Sequence, residues 1–174
     1  MNTNPGASPE TTKTEILEQL ASLLKQYRWT LMTAESCTGG GIAKYCTDIS
    51  GSSEWFEGGV VSYSNRIKTG LLGVAESSLN AHGAVSEQVA SEMVIGLLAK
   101  TPAQCGIAVT GVAGPTGGTA TKPVGMVWFA WMVDGQLKTE CCHFDGNREA
   151  VRQQTIEHSL RQLVIFLQEV SKQD

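Results

Sequence analysis

The sequence predicts an α/β fold, a three-layer α/β/α sandwich with a mixed, mostly parallel sheet of about five strands. Over its 174 residues, helical patterns alternate with short apolar strands in the order αβαβααβββα. Such alternation is typical of a sheet covered by helices on both faces. Two late strands flank Asp134-Gly135, a hairpin signal, so one strand is expected to run antiparallel. We assign residues 11–174 to a single domain and residues 1–10, with their Asn, Pro, Gly and Ser, to a disordered tail.

Capping residues and apolar spacing define the helices. The segment Thr12-Lys13-Thr14-Glu15 fits a capping box, in which the Thr oxygen accepts one free N–H and the Glu accepts another. Ser86 and Asn147 are good N-caps for a helix before the third strand and for the last helix. The predicted helices cover residues 12 to about 27, 42–45, 65–72, 86 to about 100, and 147 onwards.

Five short apolar runs are predicted as strands, at residues 29–34, 58–63, 106–110, 126–133 and 137–144. Two of them end in polar, glycine-rich loops, residues 34–41 and 110–125. In open α/β sheets, ligands bind beyond the carboxyl ends of the strands. We therefore expect the two loops to meet at one edge of the sheet and to form the functional site.

Composition and charge exclude several classes of function. The net charge is −4 and there is no basic block, which argues against a nucleic-acid partner. No apolar run approaches the length of a membrane span, and the start of the chain does not resemble a signal peptide. The five cysteines are odd in number and lack disulfide or zinc spacing, so we expect reduced thiols in a cytoplasmic protein.

Ser36 is the first candidate nucleophile, because it follows a buried strand and precedes a glycine-rich turn. A G-x-S-x-G elbow is absent, since Ala34 occupies the first glycine position. From spacing alone a helix cap is the favoured interpretation of Ser36, since caps far outnumber nucleophiles. Cys37 ranks below it, because a reactive thiolate needs a nearby His or cation, and the three histidines lie in unrelated segments.

A serine hydroxyl needs a base, and Tyr63 and Lys68 are the candidates. Tyr63 lies at the end of a strand and Lys68 about one helical turn beyond it, so both can reach a site at the strand end. A lysine serves as a base when desolvation lowers its pKa, and a tyrosine can relay a proton. An interfacial tyrosine and a solvated lysine are the simpler alternatives.

The loop after the third strand, Thr110 to Gly118, offers many backbone N–H groups for a phosphate or an oxyanion. Lys122, Arg148 and Arg152 are cations that could meet a phosphate.

Metal catalysis is not indicated. Cys141, Cys142 and His143 are adjacent on a strand and alternate between its faces, and the zinc-deaminase signature is missing.

Several long motifs together resemble the C-terminal domain of the CinA family. They are TAESCTGG, GSSEWFEGGVVSYSNRIKTGLLGV, HGAVSEQVA, VTGVAGPTGG and KPVGMVWFAW, in that order along nearly the whole chain. The resemblance implies a three-layer α/β/α sandwich. It also implies hydrolysis of nicotinamide mononucleotide to nicotinate mononucleotide and ammonia in pyridine nucleotide recycling. No cofactor and no metal are implied, and a homo-oligomer is expected.

The resemblance also implies roles for particular residues. Ser36 would be the nucleophile, and Tyr63 and Lys68, in the Y-S-N-x-x-K element, would activate it. The residues implied to bind substrate come from the two glycine-rich loops and the last helix: Glu35, Cys37, Thr38, Gly39, Gly40, Thr110, Gly111, Gly114 and Arg148. The family often has Gly-Asp-Arg where this chain has Gly146-Asn147-Arg148, so residue 147 lacks that carboxylate but remains a good N-cap.

Two other functions stay open on the sequence. One is a nucleotide-binding module without catalysis, and the other is a serine hydrolase that acts on a different amide or ester. The presence of Ser36, Tyr63 and Lys68 together argues against the first. A requirement for the substrate phosphate would argue against the second.

Overall fold

The computed structural model describes residues 12–170 and residue 172. The predicted N-terminal tail therefore lies outside the described residues. The described elements are, in chain order, α1 Lys13–Tyr27, β1 Leu31–Glu35, α2 Gly41–Thr47, β2 Phe56–Val61, α3 Asn65–Leu72, α4 Glu76–His82, α5 Glu87–Leu98, β3 Cys105–Gly111, β4 Met126–Val133, β5 Gln136–His143 and α6 Arg148–Val170. Helices and strands alternate as the sequence predicted.

The five strands form one sheet in the order β2-β1-β3-β4-β5. β1 pairs in parallel with β2 and β3, whereas β4 pairs antiparallel with β3 and β5. Only β4 therefore runs against the others, which confirms the mixed sheet. The β4–β5 turn has two left-handed residues, Asp134 at φ 45° and Gly135 at φ 80°, as the predicted two-residue hairpin requires.

Helices cover both faces of the sheet and enclose two apolar cores. α1, α2 and α6 pack on one face, where Leu31, Ile107 and Phe129 are fully buried. α3, α4 and α5 lie on the other side, and α5 packs over Ala34 and Ala108. The sandwich has three layers, as predicted. None of the described helices combines the length and the apolar character that crossing a bilayer requires.

The helix caps that the sequence predicted at Thr12, Ser86 and Asn147 are present in the structure. Thr12 and Glu15 form the predicted capping box, and Ser86 Oγ accepts the N–H of Val89 at the start of α5. Asn147 Oδ1 accepts the N–H of Ala150 at 2.9 Å at the start of α6. These bonds satisfy helix N–H groups that have no partner within the helix.

Several strand and helix ends differ from the prediction by one or two residues; β1, for example, begins at Leu31 rather than at residue 29. Two differences bear on how the chain was interpreted. α4 was missed, because Ala75 at its N-cap offers no capping side chain and none of its residues is buried. β2 spans Phe56–Val61 rather than 58–63. In β2, Gly59 pairs with Thr33 of β1. A Cβ atom added at residue 59 would lie 2.4 Å from Oγ1 of Thr33, which leaves no room for a side chain there. The glycines of β2 thus belong to the middle of a closely packed strand rather than to its entrance.

Candidate active site

The two glycine-rich loops meet at the carboxyl ends of β1 and β3, as predicted, and border a cleft of about 200 Å³. Seven of the candidate residues line this cleft: Ser36, Cys37, Tyr63, Lys68, Thr110, Gly111 and Arg148. Four further residues that were not predicted as site residues also line it: Asn65, Ala84, Val85 and Ala113. All four fall within the motifs that carry the family resemblance, so those motifs were a signal for them.

Ser36 and Lys68 are in direct contact in this cleft. Ser36 is the first residue after β1, and Lys68 reaches it from the middle of α3. The Nζ of Lys68 lies 3.0 Å from the Oγ of Ser36. It also donates to the carbonyl oxygens of Ser62 at 2.8 Å and Tyr63 at 3.2 Å. The side chain of Lys68 is only 1 % exposed, although an isolated lysine is almost never buried.

Burial shapes the chemistry of this lysine. Desolvation lowers the pKa of Lys68 below its ordinary value, because a buried ammonium loses its hydration. A neutral amine has two N–H donors and one lone pair. With two carbonyl oxygens accepting the N–H donors, the lone pair is left for the hydroxyl of Ser36. The arrangement can therefore remove a proton from Ser36 without a histidine.

Tyr63 occupies a different position from Lys68. Its side chain is 62 % exposed, and its hydroxyl accepts a hydrogen bond from Nη2 of Arg148 at 3.3 Å. Nη1 of Arg148 donates to the carbonyl of Gly114 at 2.9 Å. Tyr63 contacts Lys68 through its backbone carbonyl, while its ring lies at the mouth of the cleft. The geometry thus separates the two residues that the sequence analysis paired as bases.

Glu35 points away from the cleft and binds the start of α2. Its carboxylate accepts the hydroxyl of Thr38 at 2.6 Å and the N–H groups of Ile42 and Ala43 at 2.9 and 2.8 Å. The side chain is 1 % exposed. A carboxylate at a helix N-terminus is stabilised both by these N–H groups and by the helix dipole. Glu35 and Thr38 therefore hold the turn that presents Ser36.

The glycines of this turn have conformations that other residues avoid. Gly39 and Gly40 have φ values of 61° and 96°, in the left-handed region that favours glycine. They do not line the cleft. Gly114, also left-handed at φ 80°, meets Arg148 through its carbonyl. These three predicted substrate contacts are placed around the site rather than inside it.

Arg152 contacts the same turn from α6. Its Nε donates to the carbonyl of Cys37 and its Nη2 to the carbonyl of Thr38, both at 3.1 Å. The sequence placed Arg152 with Lys122 and Arg148 among the cations that could meet a phosphate. Instead, its guanidinium holds two backbone carbonyls directly after Ser36. Lys122, the other cation considered for phosphate, donates to the carbonyl of His82.

Cys37 is buried beside Ser36, but its thiol is not activated. Burial raises the pKa of the Cys37 thiol to about 12, so it is protonated at neutral pH. This agrees with the prediction that Cys37 ranks below Ser36 as a nucleophile. All five cysteines are free. Among the described residues, the donors grouped closely enough to hold a metal ion are Glu140, Cys142 and His158, outside the cleft.

The fold and the site define an α/β protein with a buried serine–lysine contact at the carboxyl ends of its strands. Residues 13–167 match the family described as CinA C-terminal domain. The chain belongs to this family.

Curated relatives are similar over most of their length. The chain is 51 % identical over 148 residues to nicotinamide-nucleotide amidohydrolase PncC of Enterobacter agglomerans, covering 84 % of this chain and 90 % of that protein. It is 48 % identical over 152 residues to the protein of the same name from Escherichia coli K12, covering 86 % and 91 %. A crystal structure of a competence-damaged protein (CinA) superfamily protein from Enterobacter cloacae superposes with a TM-score of 0.90 at 34 % identity, covering 96 % and 99 % of the two chains.

Proposed function

We propose that this protein hydrolyses the carboxamide of nicotinamide mononucleotide, giving nicotinate mononucleotide and ammonia, in the recycling of pyridine nucleotides. The two PncC relatives named as nicotinamide-nucleotide amidohydrolases support the substrate. The observation that carries the chemistry is the 3.0 Å contact between Nζ of Lys68 and Oγ of Ser36. We assign Ser36 as the nucleophile and Lys68 as its base.

The first half-reaction forms an acyl-enzyme. Neutral Lys68 takes the hydroxyl proton as Oγ of Ser36 bonds to the carboxamide carbon, and the carbonyl oxygen becomes an oxyanion. The resulting ammonium of Lys68 then gives its proton to the amide nitrogen as the C–N bond breaks. Ammonia leaves, and Ser36 remains esterified to nicotinate mononucleotide.

The second half-reaction regenerates the enzyme. Water enters where ammonia left and loses a proton to Lys68 as it attacks the ester carbon. The C–O bond to Ser36 breaks, and Oγ recovers the proton from Lys68. One lysine thus acts as base and then as acid in each half-reaction. A metal ion is not required in this scheme.

Backbone N–H groups are assigned to the oxyanion. The N–H of Cys37 follows the nucleophile directly, as in other strand-to-helix nucleophile turns, and makes no hydrogen bond to another backbone group in the described chain. Thr110 and Gly111 border the same cleft from β3. Donors that are fixed before the reaction stabilise developing charge without reorganisation. Arg152 would fix this turn through the carbonyl groups of Cys37 and Thr38.

Arg148 is assigned to the substrate phosphate. It lies exposed at the rim of the cleft that Ser36 also lines, and its guanidinium is already oriented by Gly114 and Tyr63. A forked guanidinium suits a phosphate. The ring of Tyr63 borders the same entrance, where it would contact the pyridine ring or the ribose.

We further propose a cytoplasmic homo-oligomer that binds a small-molecule substrate and neither nucleic acid nor a membrane.

The test is ammonia release by the purified protein in metal-free buffer. Nicotinamide mononucleotide should give equal amounts of ammonia and nicotinate mononucleotide. Free nicotinamide should be turned over at least about 10-fold more slowly, because it lacks the phosphate and ribose whose binding energy supports catalysis. Binding of the mononucleotide without ammonia release would instead indicate a non-catalytic module. Equal turnover of free nicotinamide would contradict the phosphate assignment.

A further inference from the structure

Three metal-binding side chains meet at the edge of the sheet, away from the cleft. Glu140 and Cys142 are two residues apart on β5, so their side chains project from the same face of the strand. His158 reaches them from α6. Its Nε2 lies 2.7 Å from Oε2 of Glu140 and 3.5 Å from Sγ of Cys142. The three donor atoms all lie within 4.8 Å of one another.

The donor set has the chemistry of a zinc site. Zn²⁺ binds thiolate, imidazole and carboxylate with bonds of about 2.0–2.3 Å, which places tetrahedral donors about 3.3–3.6 Å apart. The present sulfur–nitrogen distance of 3.5 Å already falls in this range. The oxygen–nitrogen distance of 2.7 Å must open by less than about 1 Å to admit the ion. The side chain of Glu140 is 43 % exposed, so it is free to make this movement.

The surroundings hold the histidine in place. The ring of His158 packs edge-on against Phe129 and Phe144, with centroid distances of 5.0 and 5.9 Å. Its side chain is 22 % exposed, so solvent reaches the group. A rigid imidazole, two further protein donors and access for water match a site with three protein ligands and an open fourth position.

The three side chains converge on one nitrogen. Nε2 of His158 faces both a carboxylate oxygen of Glu140 and the sulfur of Cys142. Metal binding would displace the thiol proton of Cys142 and separate the imidazole from the carboxylate.

We propose that Glu140, Cys142 and His158 form a binding site for a thiophilic divalent cation, with Zn²⁺ as the reference ion. Bound Zn²⁺ would be coordinated by the Cys142 thiolate, Nε2 of His158, a carboxylate oxygen of Glu140 and a water molecule, with one proton released from the thiol. The ion would join the edge strand β5 to α6. Because none of the three residues lines the cleft, the site is separate from Ser36 and Lys68.

Calorimetric titration of the chelator-treated full-length protein with Zn²⁺ tests the proposal. We expect one Zn²⁺ per chain and a melting temperature that rises with added Zn²⁺. Cys142→Ser and His158→Gln should each weaken binding at least about 10-fold. Cys141→Ser is the matched control, because Cys141 lies next to Cys142 on the opposite face of β5, and it should bind Zn²⁺ like the parent protein.

Cobalt provides a readout that does not depend on the stability of the variants. Co²⁺ bound to the parent protein should show a thiolate-to-metal charge-transfer band. The band should persist in Cys141→Ser and disappear in Cys142→Ser. Failure of the parent protein to bind Zn²⁺, or equal binding by Cys142→Ser, would overturn the proposal. Retention of the charge-transfer band in Cys142→Ser would do the same.

Discussion

Nζ of Lys68 lies 3.0 Å from Oγ of Ser36, and two backbone carbonyls accept its other hydrogen bonds. The contact joins the middle of α3 to the residue after β1, two positions 32 residues apart in the chain. An exposed lysine would be protonated and useless as a base. Here burial lowers the pKa of the Lys68 amine next to a hydroxyl, which favours the neutral form that a base requires.

Ser36→Ala should abolish ammonia release from nicotinamide mononucleotide. If the serine forms the covalent intermediate, kcat should fall by at least about 10³-fold, because no other group can accept the acyl chain. The fold should be retained, because among the described residues the hydroxyl has a side-chain hydrogen bond with Lys68 alone. Circular dichroism and substrate binding would verify this. Wild-type turnover by the variant would rule out the covalent mechanism.

Lys68→Met and Tyr63→Phe should separate the two candidate bases. Removal of a general base costs about 10²–10⁴-fold in kcat, and we expect this loss for Lys68→Met alone. Tyr63→Phe should lose little kcat, because its hydroxyl faces Arg148 at the rim. A change in its KM would follow from a loosened Arg148. If Tyr63→Phe loses its activity completely while Lys68→Met remains active, Tyr63 rather than Lys68 is the base.

The pH dependence should report the same lysine. Only neutral Lys68 can accept the proton, so kcat/KM should rise with pH as Lys68 deprotonates. Because burial lowers the pKa of Lys68 from 10.5, the midpoint should fall below that value. The folded state then binds fewer protons than the unfolded state between the two pKa values. Over that interval the free energy of unfolding should rise with pH more steeply in the parent protein than in Lys68→Met.

The sequence predicted most of the fold, because its local signals agree with the tertiary structure. β4 was predicted to the residue at Met126–Val133, since a long apolar run precedes an Asp-Gly turn. α4 was missed, because a helix with neither a capping side chain nor a buried face leaves no pattern. The site was harder. Ser36 and Lys68 were both named, but their pairing depends on how α3 packs beside β1, and no local signal encodes that.

Glu35 shows why a candidate residue can be found without its role. A carboxylate beside a candidate nucleophile suggests a contact with substrate. The direction of the Glu35 side chain depends on its position in β1, because successive side chains of a strand point to opposite faces of the sheet. Thr33 and Glu35 share the face that is turned toward α2. The hydrogen bond from Arg152 to the carbonyl of Cys37 joins residues that lie 115 positions apart in the chain. The spacing of Arg148 and Arg152 along α6 predicts that they share a helix face. It does not predict a hydrogen bond from Arg152 to a carbonyl in the turn after β1.

Glu35→Gln should destabilise the protein and disturb the Ser36 turn. The carboxylate accepts backbone N–H groups from Ile42 and Ala43, and an amide would place an NH₂ against one of them. Loss of a buried charge-assisted bond costs about 2–3 kcal/mol, which urea unfolding would measure. Glu18→Gln, on the exposed surface of α1, should stay within about 0.5 kcal/mol of the parent protein. Equal stability of the two variants would contradict the capping role.

Arg152→Lys and Arg152→Met should lower kcat more than they raise KM. The guanidinium orients the carbonyl groups of Cys37 and Thr38 next to the nucleophile, and we place no part of the substrate on it. A misplaced nucleophile costs about 10- to 100-fold in rate. Lysine has no planar fork, so it should restore little of this loss. A rise in KM at constant kcat would instead indicate that Arg152 binds the substrate.

Gly96→Ala and Gly70→Ala should have opposite effects on stability. Both glycines are in helices, where alanine is better by about 0.5–1 kcal/mol. A Cβ at residue 70 would meet nothing within 4 Å, so Gly70→Ala should be stabilising by that amount. A Cβ at residue 96 would lie 1.6 Å from the carbonyl oxygen of Leu72, at the end of α3. We expect Gly96→Ala to cost more than about 2 kcal/mol in urea unfolding. Because α3 carries Lys68, its displacement should also lower kcat, whereas Gly70→Ala should keep parental kcat. Parental stability and turnover in Gly96→Ala would show that the α3–α5 contact does not position the lysine.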